Sequence, residues 1–235
     1  MSGKNTSIER NRLLGALPAG DLALLLPLLE FVELRERVPL EEPNRVIDHA
    51  YFIETGLASA VATSAGSLRI EVGLIGCEGM SGVAAVLGNL SSPNATYMQT
   101  RGTAKRIAAG DLRAAMDRSA TLRGLLLRYA QVFLVQTAQT AATNAKARLE
   151  ERLARWLLMA HDRTADDHVQ LTHEILSLML GVRRASVTEA LHGFEERGQI
   201  SCRRGVITVL DRDGIQKVAG RFYGVPEAEY RRLIG

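Results

Sequence analysis

The 235 residues carry 29 Lys and Arg against 26 Asp and Glu, a net of +3, with 46% apolar and 23% charged residues. That is room for one large domain or two modest ones, with a core that holds without staples. Two cysteines, Cys77 and Cys202, are too few for a disulfide framework or a four-thiolate iron–sulfur or zinc site. The amino end, MSGKNTSIERNRLLGALPAG, lacks the apolar stretch of a signal peptide, and no run reaches membrane-spanning length. A cytoplasmic protein without membrane contact is expected.

In chain order, residues 12–30 read as a short helix or helical pair punctuated by Pro18 and Pro27. From about Phe31 to Ile107 the texture changes to short apolar runs with recurring glycines, as in YFIETGLASAVA and LRIEVGLIG. That pattern predicts a small all-β sandwich or barrel. Around Asp111 the period lengthens. A stripe through Leu127, Ala130, Leu134, Ala138, Ala141, Ala145, Leu149, Leu153, Trp156 and Ala160 runs at steps of three and four. A second stripe, Leu122, Leu126, Tyr129 and Phe133, lies beside it. A long helix with two apolar sides needs two neighbours: its own β domain, and an equivalent helix of a second subunit on the alanine-rich side. The helix is expected to break near HDRTADDH, with HVQLT as a short strand.

The segment THEILSLMLGVRRASVTEALHGFEERGQISCRRGVITVL follows. Thr172 is placed to cap helix HEILSLML, and Gly181 to end it in the left-handed conformation. A second helix, RASVTEALHGFEERG, turns Val187, Ala190, Leu191 and Phe194 to the core and leaves Arg184, Ser186, Thr188 and Glu189 on the other face. ISCRRGVITVL reads as a hairpin with a basic tip. Helix, short turn, helix and hairpin make a winged helix-turn-helix, whose second helix fits a major groove. Arg183, Arg184, Arg203 and Arg204 stand where phosphates would pass, with Thr172 and His173 at the start of the first helix. The positive charge concentrates here: residues 1–120 net −1 (12 basic, 13 acidic) and residues 121–235 net +4 (17 basic, 13 acidic).

On these residues the chain resembles the bacterial Crp/Fnr superfamily of transcription regulators. The resemblance implies an α+β fold. A cyclic-nucleotide-binding-like double-stranded β-roll of jelly-roll type spans 12–120 as a sensor. A long dimerisation helix follows at 121–145, a winged helix-turn-helix at 146–215 and a C-terminal extension at 216–235. Arg184 then matches the family's base-reading arginine. Ala185 stands where an acidic contact is usual, and Glu189 where a second arginine is. Glu189 either accepts from a cytosine amino group or pairs with Arg203 or Arg204. The implied effector pocket is degenerate: Gly82 fits the family's glycine, but Val83 replaces its glutamate and Asn94-Ala95 its Arg-Ser pair, leaving Ser91 and Ser92 as hydroxyls. Cyclic AMP is therefore not the expected signal and no cofactor is predicted.

His49 alone, and His161, His168 and His173 at their spacing, make no metal or haem site. Cys77 is either a buried core thiol or a redox group. No catalytic motif appears. The expected partners are double-stranded DNA, a second copy through the helix around 121–160, and RNA polymerase as a further candidate. The competing reading is a ligand-binding or scaffold protein whose winged helix binds protein.

Overall fold

The structure is a computed structural model that describes residues 10–63, 69–164 and 167–235. Residues 1–9 of the amino-terminal stretch on which the leader reading falls lie outside them. Two short helices, α1 (Arg12–Gly15) and α2 (Ala19–Leu25), open the chain, with Pro18 just before α2 and Pro27 in a 3-10 turn after it. Seven strands follow: β1 (Glu30–Leu34), β2 (Pro39–Glu41), β3 (His49–Thr55), β4 (Ala58–Thr63), β5 (Arg69–Ile75), β6 (Ala95–Met98) and β7 (Gly102–Ala108), with helix α3 (Val83–Val86) between β5 and β6. They pair antiparallel in two sheets, β1-β7-β3 and β2-β6-β4-β5. Ile53, Ala58, Ile75, Met98 and Ala104 from both sheets share one buried cluster, as expected of an N-terminal β-roll.

The helical region does not run as one rod. Helix α4 (Ala109–Arg118) ends at Ser119, α5 covers Ala120–Lys146, and α6 covers Leu149–His161. Gly124 sits inside α5 without breaking it. Ser119 breaks the helix because its hydroxyl has better partners outside: it accepts from the Leu122 amide at 3.1 Å and donates to Asp21 on α2 at 2.6 Å. Ala147 and Arg148 are extended, and the Glu151 side chain caps the Arg148 amide at 2.6 Å. The stripe expected to continue to Ala160 therefore ends at Ala145. Leu153 and Trp156 belong to a separate helix that is buried all round from Leu153 to Ala160, and the rod around 121–160 is corrected to 120–146. Periodicity persists across the break because both helices bury apolar faces; the signal does not report two non-helical residues between them.

The remaining elements are β8 (His168–Gln170), α7 (His173–Leu180), α8 (Arg184–Glu196), β9 (Ile200–Arg203), β10 (Val206–Val209), α9 (Arg212–Ala219) and α10 (Val225–Leu233). The wing sheet has the order β8-β10-β9. One apolar cluster joins this part to the roll: Leu57 and Leu74 pack with Trp156, Leu157, Leu176, Leu191 and Phe194.

Polar contacts lock the same junction. Strand β5 is a sheet edge, and Gln136 of α5 occupies it, accepting from the Leu74 amide at 2.6 Å and donating to its carbonyl at 3.2 Å. Gly73 leaves room for the Phe133 ring, since a β-carbon there would stand 2.6 Å from it, and Gly79 likewise faces Tyr129. Trp156 of α6 donates to Glu71 at 2.7 Å, Ser59 lies 2.5 Å from the other Glu71 oxygen, and Arg163 meets Glu78 at 2.7 Å. The extension straddles the junction. The Tyr223 hydroxyl donates to Asp162 at 2.5 Å, while that of Tyr230 donates to the Glu78 carbonyl, on the roll side, at 2.9 Å.

Burial pushes the Glu71 carboxyl up from 4.5 to about 7, against the opposing pull of Ser59, Trp156, Arg155 and Arg163. The folded chain thus binds more protons than the unfolded one between those values. The stability due to this group is full below pH 4.5 and is lost as pH rises to about 7. We expect Tm to fall by roughly 5 °C over that window on this account. In Glu71→Gln, where the amide mimics the protonated carboxyl, calorimetric scans from pH 5 to 8 are expected to show a smaller slope; an unchanged slope contradicts the assignment.

Candidate nucleic-acid interface

Thr172 caps α7, its hydroxyl accepting from the Ile175 amide at 3.2 Å. Gly181 ends the helix at φ 62°, and the Val182 amide returns to the Ser177 carbonyl at 3.0 Å. Residues 181–183 form the turn, Arg183 is the N-cap residue of α8, and Arg184 is its first helical residue. Val187, Ala190, Leu191 and Phe194 are buried, which rolls the opposite face outward. There Arg184, Ala185 and Glu189 are exposed and Ser186 and Thr188 half-buried. Arg183 is exposed too, and lines a cleft towards the roll shared with Glu36 and Glu42.

Thr188 is less free than the pattern suggested. Its hydroxyl donates to the Arg184 carbonyl at 3.1 Å and lies 2.9 Å from His173 Nδ1. His173 and Thr188 therefore brace the two helices against each other. Glu189 forms no ion pair with Arg203 or Arg204 among the described residues, so the pairing alternative is not what the structure shows. Pattern reading missed His192. It is exposed on the same face, one turn beyond Glu189, and lines a shallow concavity with Arg184, Ala185, Thr188 and Glu189. Helical spacing from Ala185 (seven residues, two turns) was the signal that pointed to it.

The wing tip is a tight turn. Arg204 has φ 51° and Gly205 φ 78°, which sends the exposed Arg203 and Arg204 side chains off the end of the hairpin. Glu195 ties recognition helix to wing, accepting from the Cys202 amide at 2.6 Å. Burial first, then that carboxylate, pushes the Cys202 thiol up to about 11, so it is not a reactive thiolate. Cys77 is buried and its thiol is raised by burial, which favours the core reading over the redox one.

The six residues assigned to an effector pocket do not form a phosphate cradle. Gly82 (φ 82°) precedes α3, but its amide donates to Glu41 at 2.8 Å. Glu41, which pattern reading missed, puts a carboxyl where an anion would need a donor, and burial raises its pKa. Val83 starts α3. Ser91 bonds to Asn89 of its own turn, the Ser92 hydroxyl accepts from the Asn94 amide at 3.1 Å, and Ala95 is buried at the start of β6. Among the described residues no group of three His, Cys, Asp or Glu is placed to hold a metal ion, and no helix is long and apolar enough to cross a membrane.

Residues 151–218 match the family model of the Crp-like helix-turn-helix domain. The chain carries that domain on a Crp/Fnr fold. FixK2 from Bradyrhizobium japonicum is similar over 82% of this chain and 98% of its own, with TM-score 0.71 at 14% identity. A structure described as a crp/fnr-family regulator from Eubacterium rectale is similar over 90% and 99%, with TM-score 0.67 at 16% identity. A CRP-family transcriptional regulator from Thermus thermophilus, TTHB099, is similar over 80% and 96%, with TM-score 0.66 at 19% identity. No curated protein sequence matches the chain.

Both ends of α7 depend on one residue each. Thr172→Ala is expected to cost about 1 kcal/mol of unfolding free energy. Gly181→Ala, which forces a β-carbon into the left-handed region, should cost about 1 kcal/mol as well. Urea denaturation of each variant measures these losses; a cost near zero for either contradicts the cap assigned to it.

Proposed function

We propose that the chain is a sequence-specific DNA-binding transcription regulator that works as a homodimer on an inverted repeat. The observation that carries this is the outward face of α8, open and headed by Arg184, with Arg203 and Arg204 flanking it on the wing. Arg184 reads guanine, worth about 1–3 kcal/mol of discrimination when bidentate. Arg183, Arg203 and Arg204 hold phosphates, which sets affinity and salt dependence more than sequence. Glu189 and His192 add base contacts that an arginine at position 189 would not make, so the preferred operator differs from one read by two arginines. Such a regulator works in the cytoplasm, with RNA polymerase as a further candidate partner.

The homodimer reading rests on α5. Leu127 is 42% and Leu134 62% exposed, and Ala138, Ala141 and Ala145 continue the same stripe in the open. Steps of seven, four, three and four keep that stripe on one seam of a left-handed helix pair, and alanines allow close approach. Two-fold pairing there sets two α8 helices roughly 34 Å apart, one turn of duplex. Control by cyclic AMP is disfavoured by Glu41, whose carboxyl takes the Gly82 amide that a cyclic phosphate would need.

Selection of bound duplexes from a random pool tests affinity, symmetry and base preference together. Arg184→Ala is expected to relax preference at one base pair per half-site, whereas Arg203→Ala weakens all sites evenly and reduces the salt slope by about one. No enrichment of any duplex at low salt refutes the reading. Leu134→Glu should convert a dimer into a monomer in sedimentation at micromolar concentration; an unchanged species refutes pairing through α5.

A further inference from the structure

A second cleft lies between the roll and the wing, away from the residues around Gly82. Its volume is about 980 Å3, at the upper end of small-ligand sites. Arg10, Arg12 and Arg101 line it from the roll side and Arg203 from the wing. All four are exposed, and none forms an ion pair among the described residues. Like charges gathered in one cleft raise each other's free energy, and an anion carrying several charges relieves all of them at once. Among the described residues the wall also holds one acid. Glu54 is 5% exposed, and its Oε1 has no hydrogen-bond partner among the described residues. A buried acceptor of that kind calls for a donor.

We propose that this cleft binds a nucleoside polyphosphate, its phosphates held by Arg10, Arg12, Arg101 and Arg203 and its base donating an N–H to Glu54. The acid decides between a free nucleotide and the backbone of operator DNA. A phosphodiester chain brings acceptors only, and a carboxyl in the wall repels it, whereas a guanine nucleotide brings phosphates and base N–H donors together. Arg203 is also a wing-tip cation, so bound nucleotide and DNA draw on the same guanidinium. Binding therefore weakens the grip on the operator, a consequence that rests on the DNA-binding reading above.

The test is calorimetric titration of the full chain with guanosine triphosphate and, separately, with inorganic tripolyphosphate. We expect guanosine triphosphate to bind with a Kd on the order of 10–100 μM, and Arg101→Ala to weaken it about tenfold. Glu54→Gln should lower the preference for guanosine triphosphate over tripolyphosphate at least threefold, because it weakens the acceptor and removes repulsion together. Saturating guanosine triphosphate should raise the Kd for a selected duplex several-fold. Binding absent at millimolar nucleotide, tripolyphosphate binding as tightly as nucleotide, or an unchanged affinity in Arg101→Ala each overturns the proposal. So does loss of duplex affinity in Arg101→Ala without nucleotide binding, which assigns the arginines to flanking DNA. Failure of duplex binding alone would instead count against the regulator reading, since calorimetry reads the cleft without DNA.

Discussion

The open edge of β5 is the constraint on which the arrangement turns. An unpaired strand edge exposes backbone donors and acceptors that must be satisfied or covered. Here a side chain does it: Gln136 bonds both the amide and the carbonyl of Leu74. That fixes α5 in rotation and in height along the roll. With Leu122, Leu126 and Tyr129 turned into the roll, Leu127, Leu134 and the alanines are left outward. The face proposed to meet a second subunit is thus a by-product of how the first face is anchored.

The recognition helix inherits its position through the same junction. Trp156 on α6 bonds to Glu71 on β5, and Arg163 just past α6 bonds to Glu78, while Leu57 and Leu74 extend the apolar core into the winged part. Buried pairs of this kind add little net stability but penalise misplacement heavily, because a broken pair leaves a charge in the core. The extension adds Tyr223 and Tyr230, one bonded on each side of the junction. Any signal that changes the angle of α8 to the roll has to act against this set of contacts. A ligand held between roll and wing is well placed to do so, because it bridges the two parts without having to break them apart.

Much of the architecture was legible from pattern. The strand-rich segment, the pair of short helices with the left-handed Gly181 between them, the Thr172 cap and the basic hairpin tip each have a local chemical cause within a few residues. The exposed face of α8 followed from the burial of Val187, Ala190, Leu191 and Phe194. His192 was equally available by the same arithmetic. The breaks at Ser119 and at Ala147–Arg148 were not, because apolar periodicity survives two short interruptions, and the partner that stops α4, Asp21, lies 98 residues away in sequence.

By itself the sequence determined what depends on neighbours along the chain: element types, caps, turn residues, and the outward sign of charge on the recognition helix and wing. Tertiary structure alone decided what depends on distant pairs. It brought Glu41 to the Gly82 amide, Gln136 to the edge of β5 and Tyr230 to the roll, and it gathered arginines from positions 10, 12, 101 and 203 into one cleft with Glu54. The physical reason is the same in each case. Hydrogen bonds and charge repulsion act over a few ångströms of space, and residues 40 to 190 positions apart have no local signature announcing that folding will bring them together.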